Sequence, residues 1–137
     1  MARFADVILP LPILGSFTYL IPDMIEEQIE VGSRVLVQFG KKNYYTGVVE
    51  LVHSNRPAGY EVKEIMTVLD ANPIVRHPQL KFWNWISDYY LCSVGEVYKA
   101  AVPSGLKVES ETYILLNPDY EYDEQNHLTE RMATIIQ

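Results

Sequence analysis

Apolar and polar positions alternate along the first half of the chain and fall into helical steps in the second. Residues 3–9, Arg3-Phe4-Ala5-Asp6-Val7-Ile8-Leu9, read as a strand ended by Pro10 and Pro12, neither of which can donate to a sheet ladder. Gly15-Ser16 turns the chain into Phe17-Thr18-Tyr19-Leu20-Ile21, aromatic and β-branched at alternate positions, with Pro22 behind it. Residues 23–31 carry Asp23, Glu26, Glu27 and Glu30 without a helical repeat and read as an acidic loop. Val35 and Val37 then alternate with Arg34, Leu36 and Gln38, the period of two of a strand with one dry face. Gly40-Lys41-Lys42-Asn43 joins this run to Tyr44–Val49, which continues toward His53, so the pair forms a hairpin with a basic tip. Ser54 to Gly59 is a loop by its Pro, Gly and Asn content, and Val62 to Leu69 reads as a fifth strand. Closely spaced short strands of this kind predict a small antiparallel β-barrel or curled sheet.

After Asp70 the period changes. Pro78 suits the first turn of a helix, and Leu80, Trp83, Ile86 and Tyr90 recur at steps of three and four. Phe82, Trp85 and Tyr89 make a second apolar row, which predicts a core helix packed on more than one side. Ser93-Val94-Gly95-Glu96 has the spacing of a capping box opening a short helix to about Ala101, closed by Pro103. The expected class is α+β, about five strands followed by two helices. A boundary is expected at Ser104-Gly105, giving a domain over 1–105 and a second segment over 106–137. In that segment Tyr113–Leu116 reads as a strand, 117–119 as a turn and Leu128–Gln137 as the opening of a helix. That helix meets the end of the sequence without a cap, as expected of a piece of a longer protein.

Charge refines this picture. The net charge of −7 argues at first against a nucleic-acid partner. Residues 1–105, however, hold nine Lys/Arg against eleven Asp/Glu, whereas 106–137 hold two against seven. Around the hairpin, Arg34, Lys41, Lys42, Arg56 and Lys63 outnumber Glu50 and Glu61. Salt screens charges beyond about 10 Å, so a phosphate would feel this local surplus and not the total; an ordinary solvated face is the alternative. Apolar runs are far shorter than the roughly 18 residues of a membrane helix, and no signal segment opens the chain, so a cytoplasmic location is expected. A single cysteine, Cys92, allows no internal disulfide and reads as a small core residue.

Catalytic material is sparse. His53, His77 and His127 share no ligand-like spacing, and Glu26-Glu27 and Asp123-Glu124 lie in polar segments that would not push two pKa values apart. Gly40-Lys41 resembles the end of a phosphate-binding loop, but Val35 and Lys42 stand where that motif needs a glycine and a hydroxyl. Binding material is richer. Phe17 and Tyr19 share one strand face, with Thr18 on the other, and an aromatic ring beside a basic hairpin can stack a nucleobase for about 1–3 kcal/mol. The competing reading is that both rings are core. Of Tyr44 and Tyr45, at most one joins such a surface. Gly40 leaves the backbone open to a ligand.

In order, Ala5-Asp6-Val7 to Leu9-Pro10, Phe17-Thr18-Tyr19, Val31-Gly32-Ser33-Arg34-Val35 to Phe39-Gly40-Lys41, Lys63 before Val68-Leu69-Asp70, Asp88-Tyr89-Tyr90 and Gly95-Glu96-Val97 resemble the N-terminal part of the bacterial primosomal replication-restart helicases, the PriA (primosomal protein N-prime) family. The resemblance covers residues 1 to about 105, and 106–137 is similar to the start of the family's winged-helix domain. It implies a DNA-binding module for the 3′ terminus of the nascent leading strand at stalled forks, independent of sequence. The implied 3′-end site is Phe17, Thr18, Tyr19, Gly40 and Lys63, with Arg34, Lys41 and Lys42 as weaker backbone contacts. Thr18 departs from the aspartate of well-known members, which removes a carboxylate from the implied pocket. The resemblance also implies single-stranded or forked DNA with a free 3′-hydroxyl as partner, other primosome proteins, and a monomer. ATP, magnesium and zinc are implied for the full-length family, with motor and zinc-binding cysteines outside this chain and no cofactor within it. The alternative from another class is a small β-barrel that docks a protein partner.

Overall fold

The computed structural model describes residues 2–111 and 113–115. Five strands, β1 (Arg3–Ile8), β2 (Phe17–Ile21), β3 (Arg34–Phe39), β4 (Asn43–His53) and β5 (Thr67–Val68), form one antiparallel sheet in the order β2-β1-β4-β3-β5. Two helices follow, α1 (His77–Tyr90) and α2 (Val94–Ala101), with short 3₁₀ segments at Asp23–Gln28 and Ser104–Leu106. The sheet is curled but not closed into a barrel. Its two edges are stitched at one place: Leu20 N–H donates to Lys63 O (2.9 Å), Ile65 N–H donates to Leu20 O (3.0 Å), and Met66 N–H donates to Leu36 O (2.9 Å).

The curl has dry residues on both faces. Ala5, Val7, Tyr19, Ile21, Val35, Val37, Val49 and Ile65 fill the inside of the curl. Ile8, Val48, Val75, Leu80, Trp83, Val94, Val97 and Tyr98 form a second core between the other face and the helices. Neighbours Val7 and Ile8, and Val48 and Val49, therefore point into different cores, which is why strict alternation fails there. A register shift in the β1–β4 ladder falls between Asp6 and Val7. Gly95 sets how close α2 can come: an added Cβ would lie 2.3 Å from the carbonyl oxygens of Leu9 and Leu11. Tyr98, fully buried, donates its hydroxyl to Thr46 O across the same interface (2.8 Å).

The capping box at α2 forms as its spacing predicts, with Ser93 N–H donating to Glu96 Oε2 (2.9 Å) and Glu96 N–H to Ser93 Oγ (3.3 Å). Leu91, in the left-handed region (φ 54°), makes the tight turn between helices. Three expectations change. The acidic stretch is partly a 3₁₀ helix, over Asp23–Gln28. The fifth strand shrinks to Thr67–Val68, because the chain before it swaps hydrogen-bonding partners from β2 to β3 and cannot hold one ladder. The second apolar row of α1 is not core: Phe82 (58%), Trp85 (55%) and Tyr89 (66%) are exposed, stacking on one another with centroids 6.1 and 5.1 Å apart. The sheet and α2 cover only the Leu80–Trp83 side, leaving those rings to shield each other.

Beyond the expected boundary at Ser104-Gly105 the chain stays bonded to the sheet. Thr46 N–H donates to Val108 O (3.0 Å) and Ser110 N–H to Tyr44 O (3.0 Å), along the part of β4 that β1 does not reach. Residues 113–115 form no strand, and the turn at 117–119 and the helix from Leu128 lie outside the described residues. No helix among the described residues is long and apolar enough to cross a membrane.

Candidate functional site

Three segments distant in sequence meet beside the β2 edge of the curl: the start of β2, the β3–β4 turn and residues 60–63. They line an open cavity of about 170 Å³, formed by Phe17, Thr18, Tyr19, Gln38, Phe39, Gly40, Tyr60, Glu61 and Lys63. Small-molecule pockets usually exceed about 300 Å³. A space this small suits a single sugar or base. All five residues singled out as a 3′-end site, Phe17, Thr18, Tyr19, Gly40 and Lys63, line it.

The aromatic residues do different jobs. Tyr19 is buried, and its hydroxyl donates to Gln38 O (3.1 Å), tying β2 to the end of β3. Burial, reinforced by Tyr60, pushes that hydroxyl up to about 12, so it stays a neutral donor at physiological pH. Tyr19 is thus floor. Phe17 is half-buried and meets Phe39 edge-to-face at 4.8 Å, while Phe39 meets Tyr45 at 6.4 Å. Tyr60, more than half exposed, completes the rim.

Gly40 takes a positive φ of 72° to close the hairpin, and a Cβ there would meet nothing within 4 Å. Backbone conformation, not lack of room, requires glycine. Its carbonyl accepts a hydrogen bond from Lys63 Nζ. An ammonium has three donors, and two of those of Lys63 have no partner among the described residues. Lys41 and Lys42 are exposed on the same turn, which is braced by Gln38 Nε2 donating to Lys41 O (2.8 Å), and neither forms an ion pair among the described residues.

Thr18 is committed elsewhere. Its hydroxyl donates to Asp6 Oδ1 across the β1–β2 pair (2.6 Å), and the same oxygen lies 3.1 Å from His53 Nε2. Because Asn55 N–H donates to Nδ1 of that ring (3.2 Å), the neutral ring carries its proton on Nε2 and donates to Asp6. The carboxylate in the cavity lining is instead Glu61.

Arg34, expected as a weaker backbone contact, is engaged within the fold. Its guanidinium grips Asp70 at both oxygens (2.6 Å each) and also donates to Leu106 O, with only 12% of the side chain exposed. The pair raises the Arg34 pKa further and holds the Asp70 carboxyl below its usual range, chiefly through the bidentate hydrogen bond. Three of its five N–H groups are thus engaged within the protein, and Arg34 pins β3 to the chain after β5. Gln38, Phe39, Tyr60 and Glu61 escaped the sequence reading. The signal available for Tyr60 was an aromatic residue directly after the Pro57-Ala58-Gly59 turn. Glu61 carried none.

The sequence matches the 3′ DNA-binding domain (3′BD) family over residues 6–103. The chain belongs to the PriA 3′ DNA-binding domain family. It is 32% identical over 111 residues to the replication restart protein PriA of Buchnera aphidicola subsp. Acyrthosiphon pisum, covering 81% of this chain and 15% of that protein. It is 31% identical over 112 residues to the PriA of Bacillus subtilis (80% and 14%) and 33% over 109 residues to that of Treponema pallidum (76% and 16%). The chain thus spans only about one-seventh of the length of these relatives. As a PriA-type 3′BD it is a DNA-binding module of the replication-restart family. Among the described residues no three His, Cys, Asp or Glu side chains come together as a metal site.

Proposed function

We propose that this module seats the 3′-terminal nucleotide of a nascent leading strand at a stalled fork, without reading the base, and so helps to orient a replication-restart helicase. The observation that carries the reading is the convergence of Phe17, Gly40 and Lys63 on one small cavity. Phe17 and Tyr60 offer ring surface, worth about 1–3 kcal/mol to any stacked base. Lys63, already held on Gly40, meets the phosphate of the terminal nucleotide through its remaining donors. Aromatic faces present no donor–acceptor pattern matched to one base edge, so sequence independence follows. Glu61 accepts a hydrogen bond from a free 3′-hydroxyl and repels a 3′-phosphate, filling the role left open by threonine at position 18.

In this reading the fragment is not itself an enzyme. The ATP-dependent motor, with its magnesium and zinc, belongs to the rest of a longer cytoplasmic protein, and 106–137 leads into a following winged-helix domain. The test is fluorescence anisotropy with paired oligonucleotides ending in a 3′-hydroxyl or a 3′-phosphate. Tighter binding of the hydroxyl form is expected, with log affinity falling by about 0.7 per neutralised phosphate as log salt rises. Equal affinity for both ends overturns the reading.

A further inference from the structure

A second concavity of about 290 Å³ lies on the other side of the same wall, lined by Ala2, Phe4, Leu20, Ser54, Arg56 and Val62. The wall is shared: Leu20 follows Tyr19 in β2, and Val62 sits between Glu61 and Lys63. It is held by the Leu20–Lys63 and Ile65–Leu20 backbone bonds, so the two concavities are neighbours across it. Phe4, Leu20 and Val62 give the second one an apolar floor. At its rim stand Ser54 and Arg56, with no acidic residue in the lining. The Arg56 side chain is exposed and takes part in no ion pair or hydrogen bond among the described residues, in contrast to Arg3 on Glu26 and Arg34 on Asp70.

From this we infer that the second concavity receives the nucleotide preceding the 3′-terminal one, with Arg56 binding its 5′ phosphate. The inference rests on the terminal-nucleotide reading of the first cavity. With the last nucleoside seated there, its own phosphate falls to Lys63. The strand then leaves across residues 61–63, and the next phosphate is the first anion that Arg56 can reach. A guanidinium suits this site because its planar fork matches two phosphate oxygens at once. The apolar floor meets sugar and base without selecting a sequence.

The test uses competition by unlabelled TpT and TpTpT, both with a free 3′-hydroxyl, against a labelled decamer. TpT carries one phosphate, for Lys63; TpTpT carries a second, for Arg56. In the R56A variant TpTpT should bind about fivefold more weakly, falling to the level of TpT, with its salt slope reduced by about 0.7. TpT itself should be unaffected. R56K, which keeps the charge, should retain most of the slope. Unchanged TpTpT affinity and slope in R56A, with the wild type still preferring a 3′-hydroxyl, overturns the inference and leaves the terminal-nucleotide reading standing. Equal weakening of TpT and TpTpT also overturns it, since Arg56 would then act on the terminal nucleotide or on the fold. A wild type without 3′-hydroxyl preference overturns the terminal-nucleotide reading, and the inference with it.

Discussion

Replacing Arg34 by alanine separates a structural arginine from a DNA-binding one. The change removes two charge-assisted hydrogen bonds of 2.6 Å to Asp70 and a third to the Leu106 carbonyl. Losing one partner of a fully buried pair costs about 3–5 kcal/mol. Here Asp70 keeps 19% of its side chain in contact with solvent and can be partly rehydrated, so about 2–3 kcal/mol is the working figure. With a urea m-value of about 1–3 kcal/mol/M for a domain of this size, the midpoint should fall by roughly 1–2 M. The Asp70 contribution has a defined pH window. Its folded pKa is lowered below 3.8, so the stabilisation is full above the unfolded value and is lost as pH falls through the folded one. The advantage of the wild type over D70N should therefore be flat near neutral pH and vanish in strong acid. Urea melts at several pH values, alongside anisotropy salt titrations of R34A, read both roles. An unshifted midpoint combined with a salt slope reduced by about 0.7 would make Arg34 a phosphate contact and refute the structural assignment.

Other substitutions probe the cavity and its frame. E61Q should bind a 3′-phosphate oligonucleotide almost as well as a 3′-hydroxyl one, discrimination falling about fivefold with loss of roughly 1 kcal/mol of repulsion; preserved discrimination by anisotropy would remove Glu61 from the site. T18D would set a second carboxylate beside Asp6, where the threonine oxygen now lies at 2.6 Å. Its folded pKa would be raised, so the variant should be about 1–2 kcal/mol less stable at pH 7, recover as pH falls toward 4, and be rescued by D6N/T18D in denaturant melts. Y98F should cost about 1–3 kcal/mol by leaving the buried Thr46 carbonyl without the tyrosine proton, with 3′-end binding unchanged; a thermal melt equal to wild type would show that another donor reaches that carbonyl.

Local pattern made the strands, the helices and the α2 cap legible, because Val35 and Val37, or Ser93 and Glu96, carry their structural instruction within a few residues. Residues whose role depends on what lies opposite were not legible in that way. Phe82, Trp85 and Tyr89 have the helical spacing of a core face, and only the placement of α2 and the sheet on the other side of α1 leaves them outside. Arg34 sits in a basic neighbourhood by sequence, yet Asp70, 36 residues away, takes its charge.

The cavity shows the same division. Phe17, Thr18, Tyr19, Gly40 and Lys63 were selected by family motif, and the fold brings them together because residues 60–66 must cross from β2 to β3 to join the sheet edges. That crossing is also what carries Tyr60 and Glu61 to the rim and places Val62 and Arg56 behind it. A segment too irregular to form the expected long strand thus supplies the cation, the carboxylate and the exposed ring of the cavity. Had Val62–Leu69 paired along β3 as one regular strand, Lys63 would have stayed in that ladder, away from β2, and the cleft beside Phe17 would have had no third wall.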